Sequence, residues 1–497
     1  MNPTPDRRGI PAAATDTDVA PRRWRRTAAA LLATAACAGS QLLSGCGALT
    51  GQIVVVNVGY QSKTINTINA GTLMRDRGDF EKALDELGAA NGKKYRVVWQ
   101  DFASGAPLTA QMIATHVDIG SMGDYPLLTN GSKSQKYSDA ETEFIATTGY
   151  SIRGSLNQVV VRSDHAAKDI TDLEGQRVST SLGSAGDGMF STALQRNGID
   201  KNAVRIVNQD PSVGASAIDG GQVDALAQFV PWPQLVIFRG QGRLLYDGGD
   251  NDVPTFHGVV ARKMFADQQP DVMAAFMRAM RATTDYIVGN PLAAALRVSA
   301  LTGIEPEVVY LYNGPNGLVS FDMTVKRQFI DALASIKTFL VHRGSVREDF
   351  DIASFVDDGY LRRLFGADYD RRVEQVTNPA ALSGYDDLCR LPVEDPTQAS
   401  EMWADGADST LPSATPTCLL RRVATAPAVR AAYVPDTLTG TRLFADHAVW
   451  LQDPSAPATH RYKPFATTVG ADTYRADHPQ AVAVTYPTAV AQSQTAG

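Results

Sequence analysis

Apolar runs and helix-period stretches alternate along most of this chain. Residues 52–60 (Gln-Ile-Val-Val-Val-Asn-Val-Gly-Tyr) form a nearly continuous β-branched run, which predicts a buried strand ending at Gly59. Residues 72–87 read as helix, and 95–101 alternate like a strand. Ser104 supplies a cap and Pro107 fits a first turn, so a helix opens there with Leu108, Met112 and Ile113 on its apolar face. A short strand follows at 117–120. The same grammar returns about a hundred residues later. A strand over 176–182 leads through Gly183-Ser184-Ala185-Gly186 into a helix that stops near Asn197-Gly198. A second helix begins at Asp210 and is halted by Gly220-Gly221, before a strand over 223–227. In both halves a helix is followed by Val-Asp and a short strand, at Val117-Asp118 and at Val223-Asp224. Strands alternating with helices predict parallel sheets with helices on their faces, here as two similarly built α/β lobes.

From about residue 267 to 364 the period is helical. Met273, Phe276, Met277, Met280 and Ile287 share one face of a helix over 271–289. A methionine stripe at that spacing reads as core packing rather than a metal path, because methionine fills irregular interiors. Asp322 is placed to cap a further helix running to about Arg343, with Phe329, Leu333, Ile336 and Phe339 inward. Residues 366–386 are polar and broken by Asn378-Pro379 and Ser383-Gly384, which predicts a linker. Beyond it, short strand-like pieces (431–434, 448–451, 481–486) and helix-like pieces (419–423, 470–477) predict a small α+β domain over 387–487, with 488–497 as a disordered tail.

The first 45 residues follow a different logic. Arg22, Arg23, Arg25 and Arg26 precede a short alanine-rich apolar run that ends in Leu43-Ser44-Gly45-Cys46. This is the layout of a bacterial export signal, and its ending resembles a lipoprotein signal. The resemblance implies cleavage before Cys46, lipid on its sulfur, and residues 46–51 as a tether. The rest of the chain is then expected on the extracytoplasmic face of the cell membrane. The 497 residues hold 46 basic and 53 acidic side chains; six arginines and three aspartates leave with the signal, so 40 and 50 remain. With no basic tract left, a nucleic-acid surface is excluded. Cys37 also leaves. Cys389 and Cys418 remain, 29 positions apart, and are read either as a disulfide formed in an oxidising exterior or as metal ligands.

Enzyme signatures are missing. Between Gly149 and Gly154 the second glycine comes one residue late for a nucleophile elbow, and Gly183 to Gly188 lacks the Lys-Ser/Thr of a P-loop. No His-Glu-x-x-His occurs, and the seven histidines are scattered. What recurs is a Gly/Ser-rich loop leaving a strand and opening a helix, at 104–107 and 183–186. Free amides and the helix dipole favour a polar or anionic ligand there, and open α/β sheets bind ligands beyond the carboxyl ends of their strands. Ordinary strand-to-helix turns have the same appearance.

Residues 52–365 resemble the periplasmic solute-binding proteins of ABC importers, in the nitrate/sulfonate/taurine and thiamine-precursor group. The resemblance is carried by Val58-Gly-Tyr-Gln61, by Gly105-Ala-Pro-Leu108 followed by 117–124, by 169–178 and 179–186, and by Val223-Asp-Ala-Leu226. It implies a two-lobed, type II-like periplasmic-binding fold, no catalysis and no required cofactor. It also implies a small polar solute captured between the lobes by a monomer and handed to a membrane permease. The family pattern points to Tyr60, Gln61, Gly105, Gly123, Asp124, Gly183, Ser184, Phe229 and Trp232 as ligand contacts. Trp232 is then a pocket wall or an interlobe packing residue, and Asp124 an acceptor for a cationic or amide-bearing solute or a helix cap. No arginine in these loops is an evident anion clamp. A pyrimidine-precursor synthase on the same fold is the enzyme alternative, but its Cys- and His-rich region has no counterpart here.

Residues 385–487 resemble instead the copper-binding accessory lipoprotein of nitrous oxide reductase, through Asp387-Leu-Cys389, Cys418-Leu-Leu420, the stretch 432–440, Lys463-Pro-Phe465 and 470–482. The family's Cys-x-x-Cys-Gly-Met is reduced here to Cys389 followed by Arg-Leu-Pro. Cys389, Cys418 and Met402 are the remaining soft ligands of the kind that select Cu(I). Metal delivery through this domain is the alternative function.

Overall fold

The computed structural model describes residues 53–494; the stretch read as an export signal and Cys46 lie outside them. Two five-stranded sheets carry the first half. Strands β1 (Ile53–Tyr60), β2 (Lys94–Asp101), β3 (Ile119–Gly123) and β4 (Thr142–Ser151) belong to the first sheet. Strands β5 (Asn157–Arg162), β6 (Arg177–Thr180), β7 (Arg205–Asn208), β8 (Ala225–Phe229) and β9 (Gly242–Asp247) form the second, and β10 (Thr255–Arg262) returns to the first. The orders are β2-β1-β3-β10-β4 and β7-β6-β8-β5-β9. In each sheet the strand arriving from the other lobe lies antiparallel between the third strand and the last. The lobes are therefore built on one plan and joined by two crossings, 152–156 and 248–254.

The repeated Val-Asp has a structural reason. Asp118 Oδ2 accepts from the backbone N–H of Asn57 in β1 at 2.9 Å. Asp224 Oδ2 accepts from the backbone N–H of Arg177 in β6, also at 2.9 Å. Each aspartate precedes a parallel strand, β3 or β8, and ties it to its parallel neighbour, β1 or β6, satisfying an amide that the strand ladder leaves over. The first lobe is filled by Phe144, Phe256, Phe276 and Phe329, all at zero exposure, and by the methionine stripe, with Met273, Met277 and Met280 buried on the helix Pro270–Gly289. A carboxylate does not cap the helix Arg327–His342: Lys326 precedes it, and Asp322 instead accepts from Thr324 and from the buried Lys326 ammonium.

Two sequence expectations change in the last third. The linker is shorter than 366–386: Tyr369, on the helix Tyr369–Glu374, is 2% exposed and joins the first lobe's core, and Asp386 closes the short strand Gly384–Asp386. Even the connecting stretch is tied down, because Asn378 Nδ2 donates to Gly317 O at 3.1 Å. Residues 488–493 are not a loose tail; the helix Tyr486–Ser493 packs on the helix Pro416–Thr425 and buries Ala489. Between these lie a four-stranded antiparallel sheet (Thr410–Ser413, Ser400–Ala404, Val429–Pro435, Arg442–Phe444) and a three-stranded one (Tyr462–Phe465, Val449–Gln452, Val482–Val484). Trp403, Tyr433 and Phe444 of the first of these sheets share one apolar core with Tyr310 and the second lobe. The C-terminal domain is thus fused to the lobes through a core and not merely strung from them.

Candidate functional site

The carboxyl ends of β3 and β8 meet where the crossings pass between the lobes. Around Gly123 little room is left: a Cβ built there lies 3.2 Å from both Ala185 of the second lobe and the His257 ring. The helix Asp124–Ser134 of the first lobe and the helix Ala185–Arg196 of the second touch closely, because Gly188 has no side chain under the Tyr125 ring; a Cβ there meets that ring at 2.2 Å. Beside this contact a cleft of about 720 Å³ opens, bounded by Asp124 and Tyr125, by Asn157 and Thr255 at the crossings, and by Met189 and Phe339.

Asp124 is its first residue of interest. It begins its helix, is 1% exposed, and accepts from Tyr125 N and from Thr255 Oγ1 at 2.9 Å each. Burial pushes its carboxyl up to about 6, against the pull of those hydrogen bonds. His257 lies beside it on β10. Asn66 Nδ2 donates to His257 Nδ1 at 2.6 Å, which leaves the ring hydrogen on Nε2, and burial holds the imidazole down to about 3, so it stays neutral.

The structure divides the family-derived candidates. Of them only Asp124 lines the cleft; Gly123 packs against Ala185 and the His257 ring, and Phe229 lies with its ring 6.4 Å from His257. Gly183 and Ser184 line a separate pocket of about 330 Å³ on the other side of Tyr125. There Gly183, at φ +78°, donates its N–H to Asp187, and Ser184 caps the helix. Gly105 packs under Pro126, where a Cβ would meet the ring at 2.5 Å. Gln61 donates to Ser121 O at 3.1 Å within the first lobe. Tyr60 turns away: its ring meets Trp99 edge-on at 5.7 Å and its hydroxyl accepts from Arg75 at 2.5 Å. Trp232 is 8% exposed and bridges the lobes, with the Lys63 ammonium 5.9 Å from its ring. Asn157, Thr255, Tyr125 and His257 were not singled out from the sequence. A polar side chain at the end of an otherwise apolar strand was the available signal for Asn157 and Thr255.

In the C-terminal domain Cys389 and Cys418 form a disulfide. Asp386 has an oxygen within 4.8 Å of both sulfurs, but it already accepts from the backbone N–H groups of Leu388, Cys389 and Ala414 and from Arg422. Met402 is packed into the domain core with Leu419 and Leu420. Sulfurs bonded to each other beside a saturated hard carboxylate do not fit a Cu(I) site.

Residues 132–294 match the family described as NMT1/THI5 like. The taurine-binding periplasmic protein of Escherichia coli (strain K12) is 25% identical over 237 residues, 47% of this chain and 70% of that protein. A Bacillus subtilis (strain 168) protein assigned to aliphatic sulfonate binding is 22% identical over 328 residues, 65% of this chain and 93% of its own length. The alkanesulfonate-binding protein SsuA from Xanthomonas axonopodis pv. citri, solved bound to MOPS, aligns with a TM-score of 0.51 at 19% identity, over 61% of this chain and 98% of that one. The chain is homologous to sulfonate- and taurine-binding proteins and shares their two-lobed α/β fold, extended by the C-terminal sheets. These relatives are solute-binding proteins, not enzymes.

Proposed function

We infer that this protein is the extracytoplasmic solute-binding component of an ABC import system, anchored by lipid on Cys46, and that it captures a small polar solute in the cleft beside Asp124. The observation that carries the reading is the pair of like-built sheets joined by two crossings around a cleft of about 720 Å³, a size suited to a small molecule. Homology to sulfonate- and taurine-binding proteins supports it. The mechanism is hinge motion at 152–156 and 248–254, closing one lobe on the other over the solute, with no chemical step. The closed form is then the one a membrane permease recognises.

Thermal melts against a panel of small organic solutes, sulfonates among them, test the reading. A solute held at a hundred times its Kd adds about 2.7 kcal/mol to folding stability. A panel that leaves the melting temperature unmoved counts against it. Anchoring is tested separately: Cys46→Ser is expected to move the protein from the membrane fraction to the soluble one, and retention of the cleaved variant on membranes excludes the lipid.

A further inference from the structure

The cleft floor is built from acceptors. The Thr255 hydroxyl has one hydrogen and gives it to Asp124 Oδ2 at 2.9 Å. Toward Asn157 it therefore only accepts, and Asn157 Nδ2 donates to it at 3.0 Å. This relay fixes the amide so that Asn157 Oδ1 is left over. Asn157 is 2% exposed, it lines the cleft, and its Oδ1 is buried without a hydrogen-bond partner. A buried acceptor left unpaired is costly and marks a place for an incoming donor. Asp124 is the one carboxylate of the lining, and among the described ion pairs it has no part. The basic side chains of the lining, Arg196 and His342, are exposed at the mouth, where Arg196 Nη1 donates to Asn251 O at 2.6 Å. A buried carboxylate without a counter-charge, next to an orphan acceptor, is complementary to a group that brings positive charge and several hydrogens together.

We propose that the cleft floor is a subsite for a protonated primary amine, received by the Asp124 carboxylate and Asn157 Oδ1. The solute class is then amine-bearing small molecules and not simple anions. This rests on the cleft being the solute site. The Tyr125 and Phe339 rings flank the floor and suit a short apolar stretch next to the amine. An acidic group at the far end of a zwitterion faces Arg196 and His342.

Matched pairs that differ by amine against hydroxyl test it: taurine and isethionate, β-alanine and 3-hydroxypropionate, putrescine and 1,4-butanediol. Titration calorimetry on the full chain is expected to find at least one amine that binds. Its hydroxyl twin should be weaker by roughly tenfold or more, the value of a hydrogen bond to a charged group. Asp124→Asn should cut the amine's affinity by a similar factor, and Asn157→Ala should narrow the gap between the twins. A hydroxyl twin that binds as tightly, or an amine unaffected by Asp124→Asn, overturns the amine subsite and leaves the solute-binding reading standing. No binding of any of the six probes counts against the solute-binding reading itself, and the subsite falls with it.

Discussion

Asp124 on the cleft floor and His257, paired with Gly123 on the neighbouring strand, bind protons in opposite senses. The unfolded histidine takes up a proton near pH 6.5, the folded one near 3, so the folded state binds fewer protons between those values. Stability from this residue is full above pH 6.5 and is lost as the pH falls toward 3. The loss amounts to about 5 kcal/mol at most, at roughly 1.4 kcal/mol per pKa unit. His257→Gln is expected to flatten the acid limb of stability measured by denaturant melts at pH 7.5, 5 and 4; equal limbs in both proteins exclude the buried neutral imidazole. Asp124 is held up at about 6 and so binds more protons folded than unfolded between about 4 and 6. Its ionised form costs stability above pH 6, and the cost fades as the pH falls to 4. Asp124→Asn should therefore stabilise the solute-free protein by up to about 3 kcal/mol at pH 7.5 and by little at pH 4. Of these two residues, Asp124 was named in the sequence through the family resemblance. His257 was not, because nothing local distinguishes a histidine that burial will strip of its proton.

At the scale of elements, the parallel strands β1, β2, β3, β6 and β8 were readable because each carries its own local pattern. The predicted helix over 72–87 is split at Gly78, whose φ of +64° suits glycine and ends Thr72–Arg77 before Asp79–Asn91 begins. The strands β4, β5, β7, β9 and β10 escaped the reading. β5 and β10 gain their place by inserting into a sheet laid down elsewhere in the chain, and β4 and β9 by pairing with them, so long-range pairing decides these strands more than local pattern does. Tyr486–Ser493 was missed for a related reason: a short apolar-polar stretch is helical here because the helix Pro416–Thr425 offers it a surface. The disulfide acts on the neighbouring elements. It ties the hairpin Gly384–Asp386 and Leu391–Val393 to the helix Pro416–Thr425 across a loop of 29 residues. Constraining a loop of that size stabilises by roughly 3–4 kcal/mol in the chain-entropy account. Cys389→Ser with Cys418→Ser should lower the melting transition of the C-terminal domain by that order and leave the cleft's solute affinity unchanged; a transition that does not move removes the cross-link from the account of stability.

The whole molecule joins these scales at one threonine. In the proposed mechanism the two crossings are the hinge, and the C-terminal domain reaches to both. Thr441 Oγ1 donates to Asp247 Oδ2 at 2.7 Å, at the end of β9 where the second crossing starts, and lies 2.9 Å from Ser155 Oγ in the first crossing. Ser155 Oγ donates to the same Asp247 oxygen at 3.1 Å. All three residues are buried, at 5%, 1% and 3% exposure. Thr441 is itself held firmly. Arg442 next to it pairs with the buried Glu401, and Phe444 packs 5.1 Å from Phe238 of the second lobe. A domain anchored on one lobe thus supplies a hydroxyl to the carboxylate that joins the two crossings. Removing the hydroxyl while keeping the shape leaves the buried Asp247 carboxylate with one donor fewer at the point where the proposed hinge motion bends the backbone. Thr441→Val is therefore expected to speed amide exchange several-fold in both crossings, in peptides covering 151–157 and 247–255, while the strand Val429–Pro435 keeps its protection. Thr441→Ser, which restores the hydroxyl, should return both crossings to the parent rate. Faster exchange spread through the C-terminal sheets as well would mean that Thr441 holds its own domain together and not the hinge. Unchanged exchange in the crossings would uncouple that domain from the opening and closing of the lobes.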